Sequence, residues 1–283
     1  LCSYTTRRIS YTTRRFLNLT EAAKDCSPLC MAHFYDCKDA KSPILNPEIT
    51  TPSQATKAGK KIYPSVTTVI SSTIRDPFLD VIHKPRSLVK FARMEEHDDK
   101  DWRDLERLCY GERLCPETEE MIPSSEFGTR VHNCAEKLLN AYRYSDDYEE
   151  DEHYDPFAQP FLDWVKECEH KVIATEYMLA DGRLKLCGSV DAILKDQTTS
   201  QLFLADYKCR KSKQFYDKDL WQLAIESEML RRRGLDYQPQ CISVCIDVTT
   251  KKHHHKVWDQ DKVKDAIEIM KLITKLYWKV RMK

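Results

Sequence analysis

The sequence predicts an α/β fold in which a mixed central sheet is flanked by helices. Two observations carry this. Residues 124–142 and the C-terminal "DKVKDAIEIMKLITKLYWKV" place apolar side chains every three or four positions, the period of an amphipathic helix. Between them, "KVIATEYML" (171–179), "RLKLCGSVDAILK" (183–195) and "QLFLADYKC" (201–209) are β-branched and aromatic runs. The turn-like "ADG" and "DQTTS" separate these runs, so they read as an antiparallel meander.

The remaining elements follow in chain order. Residues 1–60 read as a flexible leader, since they have little periodic hydrophobicity and carry Pro28, Pro43, Pro47 and Pro52. Order is expected to begin at "YPSVTTVISSTI" (63–74), which opens one domain over 61–283. Residues 86–110 have a helical pattern, and their "EEHDDKD" run is a solvated face. In the 124–142 helix, Phe127, Val131, Ala135, Leu138, Leu139 and Tyr142 form one stripe, with Ser124 or Ser125 as its cap. A short helix is expected over 157–168. A longer one over 216–233 carries Leu220, Leu223, Ala224 and Leu230, and "QCISVCIDV" (240–248) is a further strand.

Bulk properties narrow the function. The 283 residues have a net charge of zero, so nothing draws the whole protein to nucleic acid, and any such surface must be local. No apolar run is long enough to span a bilayer, so no membrane partner is expected. The 12 cysteines are scattered, without the dense spacing of a secreted disulfide scaffold, and read as reduced thiols. The first 20 residues hold Arg7, Arg8, Arg14 and Arg15 and no acid, the composition of a mitochondrial presequence. A mitochondrial location is therefore expected.

"LFLADYKCRK" (202–211) is anomalous: a core-like strand ends in Asp206 and Lys208, which share one face because strand side chains alternate. Glu176 and Asp191 lie inside the two preceding strands, where carboxylates are disfavoured. His132 stands on the 124–142 helix, one turn after Gly128 and one turn before Glu136. A hard divalent cation, Mg²⁺ or Mn²⁺, would account for such a set. Its ligands would be His132, Glu176, Asp191, Asp206 and the carbonyl of Tyr207, with Lys208 positioning or deprotonating a bound water. Glu136 could orient His132. "HHH" (253–255) is not a metal site on this reading, because successive side chains in an extended segment point apart.

Asp191 followed by Asp206-Tyr207-Lys208 resembles the PD-(D/E)xK nuclease signature in its RecB-like form. "GTRVH" (128–132) is similar to that branch's Gly-x-x-x-His motif, and Gln222 resembles the Gln of its Gln-x-x-x-Tyr motif. "YPSVTTVI" (63–70) is similar to the opening of a mitochondrial exonuclease of the branch. The resemblance covers residues 62–280. It departs at Val190, where the family has Pro, and at Glu226, where it has the Tyr that helps hold the nucleic acid. It implies a restriction-endonuclease-like core and a metal-dependent exonuclease acting on single-stranded DNA with free ends. Asp191, Asp206 and Lys208 would be its catalytic residues. Some RecB-like nucleases carry a four-Cys iron–sulfur cluster. None is expected here: no C-x-x-C occurs, and Cys241 and Cys245 sit in a strand.

The nucleic-acid surface is expected at Gly128, Gln222, Arg210, Lys211 and Lys213, with Arg231, Arg232 and Arg233 ending the Gln222 helix. Phe215, Tyr216 and Trp221 are the candidate stacking aromatics. A monomer is expected. Two alternatives stand beside this reading: a non-catalytic nucleic-acid-binding module of the same fold, and a nuclease acting on structured or double-stranded DNA.

Overall fold

The computed structural model describes residues 32–38, 43–59, 61–74, 111–210 and 213–282. The presequence-like stretch, the helix expected over 86–110 and Lys211 lie outside the described residues.

The N-terminal part is more structured than its composition suggests. Strands β1 (Phe34–Asp36), β2 (Ile44–Leu45) and β3 (Ile62–Pro64) pair in the order β2-β1-β3. Helix α1 (Pro52–Ala58) starts in a capping box: Thr51 accepts from the Gln54 N–H, and the Gln54 side chain accepts from the Thr51 N–H. Phe34, Ile49, Ala55 and Ile62 bury one another beneath it. Residues 34–58 therefore hold two strands and a helix where sequence reading expected a flexible leader. Their apolar residues are spaced too irregularly to show a period, and only the tertiary pairing collects them. Helix α2 (Val66–Thr73) follows, capped by Ser65, whose hydroxyl accepts from the Thr68 N–H.

The hairpin of β4 (Glu112–Leu114) and β5 (Met121–Pro123) leads into helix α3 (Ser124–Tyr144). No side chain caps α3. The Ser124 hydroxyl donates to the Gly111 carbonyl instead, because the hairpin brings that acceptor within 3.0 Å. Helix α4 (Asp155–Glu167) follows.

The central sheet takes β6 (His170–Asp181), β7 (Leu186–Asp196), β8 (Leu202–Arg210), β9 (Gln240–Asp247) and β10 (Lys252–Val257) in the order β10-β9-β8-β7-β6. Its hairpin turns are each held by an aspartate that accepts from backbone N–H groups just ahead: Asp181 from Arg183 and Leu184, Asp196 from Thr198 and Thr199, Asp247 from Thr249. Strands β8 and β9 run parallel, which requires a crossover. Helix α5 (Asp217–Arg231) supplies it. Helix α6 (Gln260–Val280) closes the chain. None of the described helices is long and apolar enough to cross a membrane.

The result is a mixed sheet with helices on both faces. On one face α3 and α4 pack Phe127, Val131, Leu138, Phe161 and Trp164 against Val172, Leu194, Ala205 and Tyr207. On the other, α2, α5 and α6 cover Leu179, Ile193 and Leu204. Helix α5 lies between the sheet and α6, so residues 223–230 are buried all round, acids included. The three consecutive histidines fall in β10 and alternate as expected. His253 reaches Glu167 at 3.2 Å, and His255 packs on Trp164.

Candidate metal centre

Two local irregularities build the site. Along a regular strand, residues two apart share a face. In β7 they do not: Val190 packs under α5, yet Ala192 packs under α3 and α4. The same break occurs in β6, where Thr175 hydrogen-bonds Asn140 of α3 while Tyr177 packs on the α5 side. Asp191 and Glu176 stand at the two breaks, opposite each other, and drop out of a ladder otherwise paired on either side. Each strand thus holds one extra residue at the same level, so the register is unchanged across this step and shifts only between Val172 and Ala174. Glu176 takes a left-handed backbone, φ +42°. For a non-glycine residue that costs about 1–2 kcal/mol, and such strain gathers at functional sites.

The second irregularity lies between β7 and β8. Their ladder ends at the pair Ala192↔Ala205. Beyond it the strands part, and Asp191 fills the gap: its Oδ2 accepts from the Tyr207 N–H at 2.9 Å. Strand β8 meanwhile stays paired to β9 as far as Arg210.

Helix α3 brings His132 down on these acids, its Nδ1 3.8 Å from Asp191 Oδ2. His132, Glu176 and Asp191 each offer one ligand atom, all within 4.8 Å of one another. Ser189 Oγ donates to Glu176 Oε2 at 2.8 Å. The Tyr207 ring lies 4.3 Å from the His132 ring and fixes it from below.

Asp206 is placed differently. It lies outside that group of three, and its Oδ1 accepts from Lys208 Nζ at 2.5 Å. Its Oδ2 is buried without a hydrogen-bond partner among the described residues. So is Oε2 of Glu226, which α5 carries one turn after Gln222. Asp206 and Glu226 are each only 1% exposed. Glu226 has room because residue 188 is glycine: a Cβ there would meet Glu226 Oε1 at 2.9 Å.

The electrostatics follow from burial. Desolvation and the charge of Asp191 raise the Glu176 pKa to about 7. Desolvation likewise raises Asp206 to about 6, against the pull of Lys208. Asp191 is also raised by burial. Glu226 is pushed well above the usual carboxylate range by burial, then by Asp206 and Asp191. Burial and the Lys208 charge lower His132 to about 4, so its imidazole is neutral at pH 7 and can act as a ligand. Burial pulls Lys208 down, but Asp206 and Asp191 outweigh it and raise its pKa. Lys208 therefore stays an ammonium near neutral pH. In this charge state it can hold a water or a phosphate oxygen.

The other expected site residues divide. Gln222 lies beside Glu226 and hydrogen-bonds it. Gly128 faces open space, with nothing within 4 Å of an added Cβ. Lys213 is exposed. Arg210 is committed elsewhere: its guanidinium pairs with both oxygens of Asp219, at 2.8 and 2.6 Å, and bonds the Gln214 carbonyl. Asp219 is buried in the first turn of α5, so this pair fastens the crossover helix. Arg231 and Arg232 are held by Glu228 within one helical turn. Phe215 and Trp221 pack into the core on the α5 side, leaving Tyr216 exposed with Arg210 and Lys218 on its ring. Glu136 forms no hydrogen bond to His132 and instead adds negative charge near Glu176.

Sequence reading noted Glu226 only as a departure from a motif and passed over Gly188 and Ser189. The signal lay in "GSVD" (188–191) and in the four-residue step from Gln222 to Glu226. Tyr35 of β1 also lies within electrostatic reach of Glu176 and Glu226, and nothing in the sequence pointed to it.

No family model matches the chain, and neither does any curated protein sequence. Among solved structures, the crystal structure of SSO0001 is similar over 78% of this chain and 85% of that one, with 12% identity and a TM-score of 0.28. LHK-Exo in complex with dAMP is similar over 52% of this chain and 83% of that one, with 12% identity and a TM-score of 0.24. Likeness at this level transfers no activity to the present chain.

Proposed function

We propose that this protein is a metal-dependent nuclease that hydrolyses phosphodiester bonds. The observation that supports it is the gathering of acids at one spot: His132, Glu176 and Asp191 converge, Asp206 pairs with Lys208, and Glu226 lies within electrostatic reach of Asp206, Asp191 and Lys208. Buried carboxylates in such excess are costly unless a cation offsets them. His132, Glu176 and Asp191 converge as ligands, and the orphaned Asp206 Oδ2 is a further oxygen donor nearby. Carboxylate oxygens with one neutral imidazole fit Mg²⁺ or Mn²⁺.

In this reading His132, Glu176 and Asp191 hold the ion, with Asp206 able to join them. A bound divalent ion lowers the pKa of its water and offsets charge on a phosphoryl group. Lys208, protonated and paired with Asp206, would hold an anionic oxygen of the substrate. Asp191, fixed by the Tyr207 N–H, keeps its second oxygen free for the ion.

The finer assignment rests on the sequence resemblance. The motifs resemble those of RecB-like PD-(D/E)xK nucleases, and "YPSVTTVI" is similar to the opening of one member, the mitochondrial genome maintenance exonuclease. The proposed substrate is single-stranded DNA with a free end, the proposed location is the mitochondrion, and the proposed state is a monomer. The Arg-rich first 20 residues would direct import. A reporter fused to residues 1–60 and remaining cytosolic would remove that part alone.

The deciding experiment incubates the purified full chain with end-labelled single- and double-stranded DNA, and with closed single-stranded circles. The expected result is shortening of linear single strands in Mg²⁺ or Mn²⁺, with circles intact and no cleavage in Ca²⁺ or chelator. Binding without cleavage under every metal would make the protein a binding module. Equal cleavage of duplexes would move the substrate to double-stranded or structured DNA, and full activity in chelator would overturn the mechanism.

A further inference from the structure

The small N-terminal sheet meets the central sheet at two sulfur atoms. Cys37, one residue past β1, and Cys187 of β7 bring their Sγ atoms to 3.0 Å, across 150 residues of chain. They are 4% and 0% exposed. The backbone is pinned on both sides of the contact. The Cys37 N–H donates to the Lys61 carbonyl at 2.8 Å, and Ser65, just after β3, forms a parallel bridge with Cys187. A disulfide needs an S–S distance of about 2.05 Å, so a shift of about 1 Å closes the gap. Other buried thiols are engaged differently: Cys134 donates to Asp155, and Cys115 pairs with the Tyr154 hydroxyl.

We propose that Cys37 and Cys187 are a cross-linking site, oxidised by a small-molecule disulfide such as oxidised glutathione to a bond that fastens the N-terminal sheet to β7. The Cys37 thiolate attacks one sulfur of the glutathione disulfide, and one glutathione leaves as thiolate. Cys187 then gives up its proton and attacks the Cys37 sulfur of the mixed disulfide, which expels the second glutathione. Two protein thiols are oxidised, one glutathione disulfide is reduced to two thiols, and the two protein protons end on them. Cys37 is the attacking group for two reasons. The Cys187 S–H hydrogen-bonds its sulfur and lowers its pKa, and it adjoins the exposed Lys38 at the protein surface.

The bond would act close to the metal centre without belonging to it. Cys187 precedes Gly188, against which Glu226 packs, and Ser189, which holds Glu176. Tyr35, two residues before Cys37, lies near both acids. Closing so long a loop also constrains the unfolded chain. The inference does not depend on the nuclease reading.

The test treats the full chain with oxidised glutathione, blocks remaining thiols under denaturing conditions, and maps peptides by mass spectrometry without reduction. The expected result is a Cys37 peptide joined to a Cys187 peptide, about 2 Da lighter than their sum and separated by reductant. The oxidised protein should melt several degrees higher than the reduced one, and Cys37→Ser and Cys187→Ser should each remove both the link and the shift. Full alkylation of both cysteines after oxidation would overturn the proposal. So would a link from Cys37 to another cysteine, or glutathione adducts without the internal bond. Because the map is made on the unaltered chain, a variant that fails to fold leaves the test intact.

Discussion

The Asp191 carboxylate accepts a hydrogen bond from the Tyr207 N–H at 2.9 Å, across the point where β7 and β8 separate. One oxygen of this side chain therefore does structural work while the group faces His132 and Glu176. Asp191→Asn keeps an acceptor for Tyr207 and loses the charge. It should melt near the wild-type temperature and lose Mn²⁺ affinity by about 10-fold or more, as weakened metal shells do. Asp191→Ala should also lose stability, by about 1–3 kcal/mol, because a buried N–H is left unpaired. Calorimetric metal titration and thermal melts of the two variants separate these roles. Equal melting temperatures would mean the Tyr207 bond holds nothing.

Lys208 and Asp206 make the opposite kind of pair, charged at both ends and buried at one. Lys208→Met should lower single-strand cleavage by about 10²-fold or more, if the ammonium stabilises the transition state. It also strands Asp206, which should cost about 3–5 kcal/mol. Asp206→Asn with Lys208 retained should abolish cleavage at a smaller stability cost. A large drop in melting temperature with near-normal specific activity in Lys208→Met would make the pair structural.

The raised acid pKa values give a signed pH dependence. Asp206 rises to about 6 and Glu176 to about 7, from ordinary values near 3.8 and 4.5. Across that interval these acids, with Asp191 and Glu226 also raised, bind more protons in the folded protein than in the unfolded chain, so they make stability fall as pH rises; His132, held down to about 4, opposes them and offsets only part of the fall. In chelator, the melting temperature should decline between about pH 4 and 7. Glu226→Gln removes one of the contributing acids and should flatten the decline. Mg²⁺ or Mn²⁺ should counter it above pH 6, with affinity increasing with pH, because ligands must be deprotonated to bind. A metal-free protein that gains stability over the same interval would contradict the assigned burial of these acids.

Arg210 offers a contrast with Lys213. Arg210 is paired in two-pronged fashion with buried Asp219, whereas Lys213 is exposed. Arg210→Ala should lower the melting temperature sharply, a loss on the order of 3–5 kcal/mol. Lys213→Ala should leave melting unchanged. If the strand passes this loop, it should reduce the salt dependence of DNA binding by about one phosphate contact. Salt-series binding and melts on both variants check this.

Glu176 tests the backbone strain. Glycine adopts a left-handed conformation without penalty. Glu176→Gly should therefore be at least as stable as Glu176→Gln, which keeps φ near +42°, while both lose metal affinity. A glycine variant much less stable than the glutamine variant would show that the side chain, through Ser189, holds the double irregularity in place.

Local patterns were enough to read the helices over 124–142 and 261–280, the meander, and a helix over 216–233. A stripe of apolar residues at period 3.6, or a β-branched run between turn residues, specifies its element whatever surrounds it. The same local logic marked Asp191, Asp206 and Lys208, because acids in strand interiors stand out against their neighbours. Three things were decided only by the assembled sheet. Facing extra residues in β6 and β7 turn Glu176 and Asp191 toward His132, while Asp206 stays with Lys208, and alternation along one strand cannot reveal a fault in its partner. Arg210 and Arg231, basic in sequence, are spent on Asp219 and Glu228, since an ion pair depends on distance in space. Glu226 is buried because α5 is enclosed between the sheet and α6, and no helical period records what lies on a helix's second face.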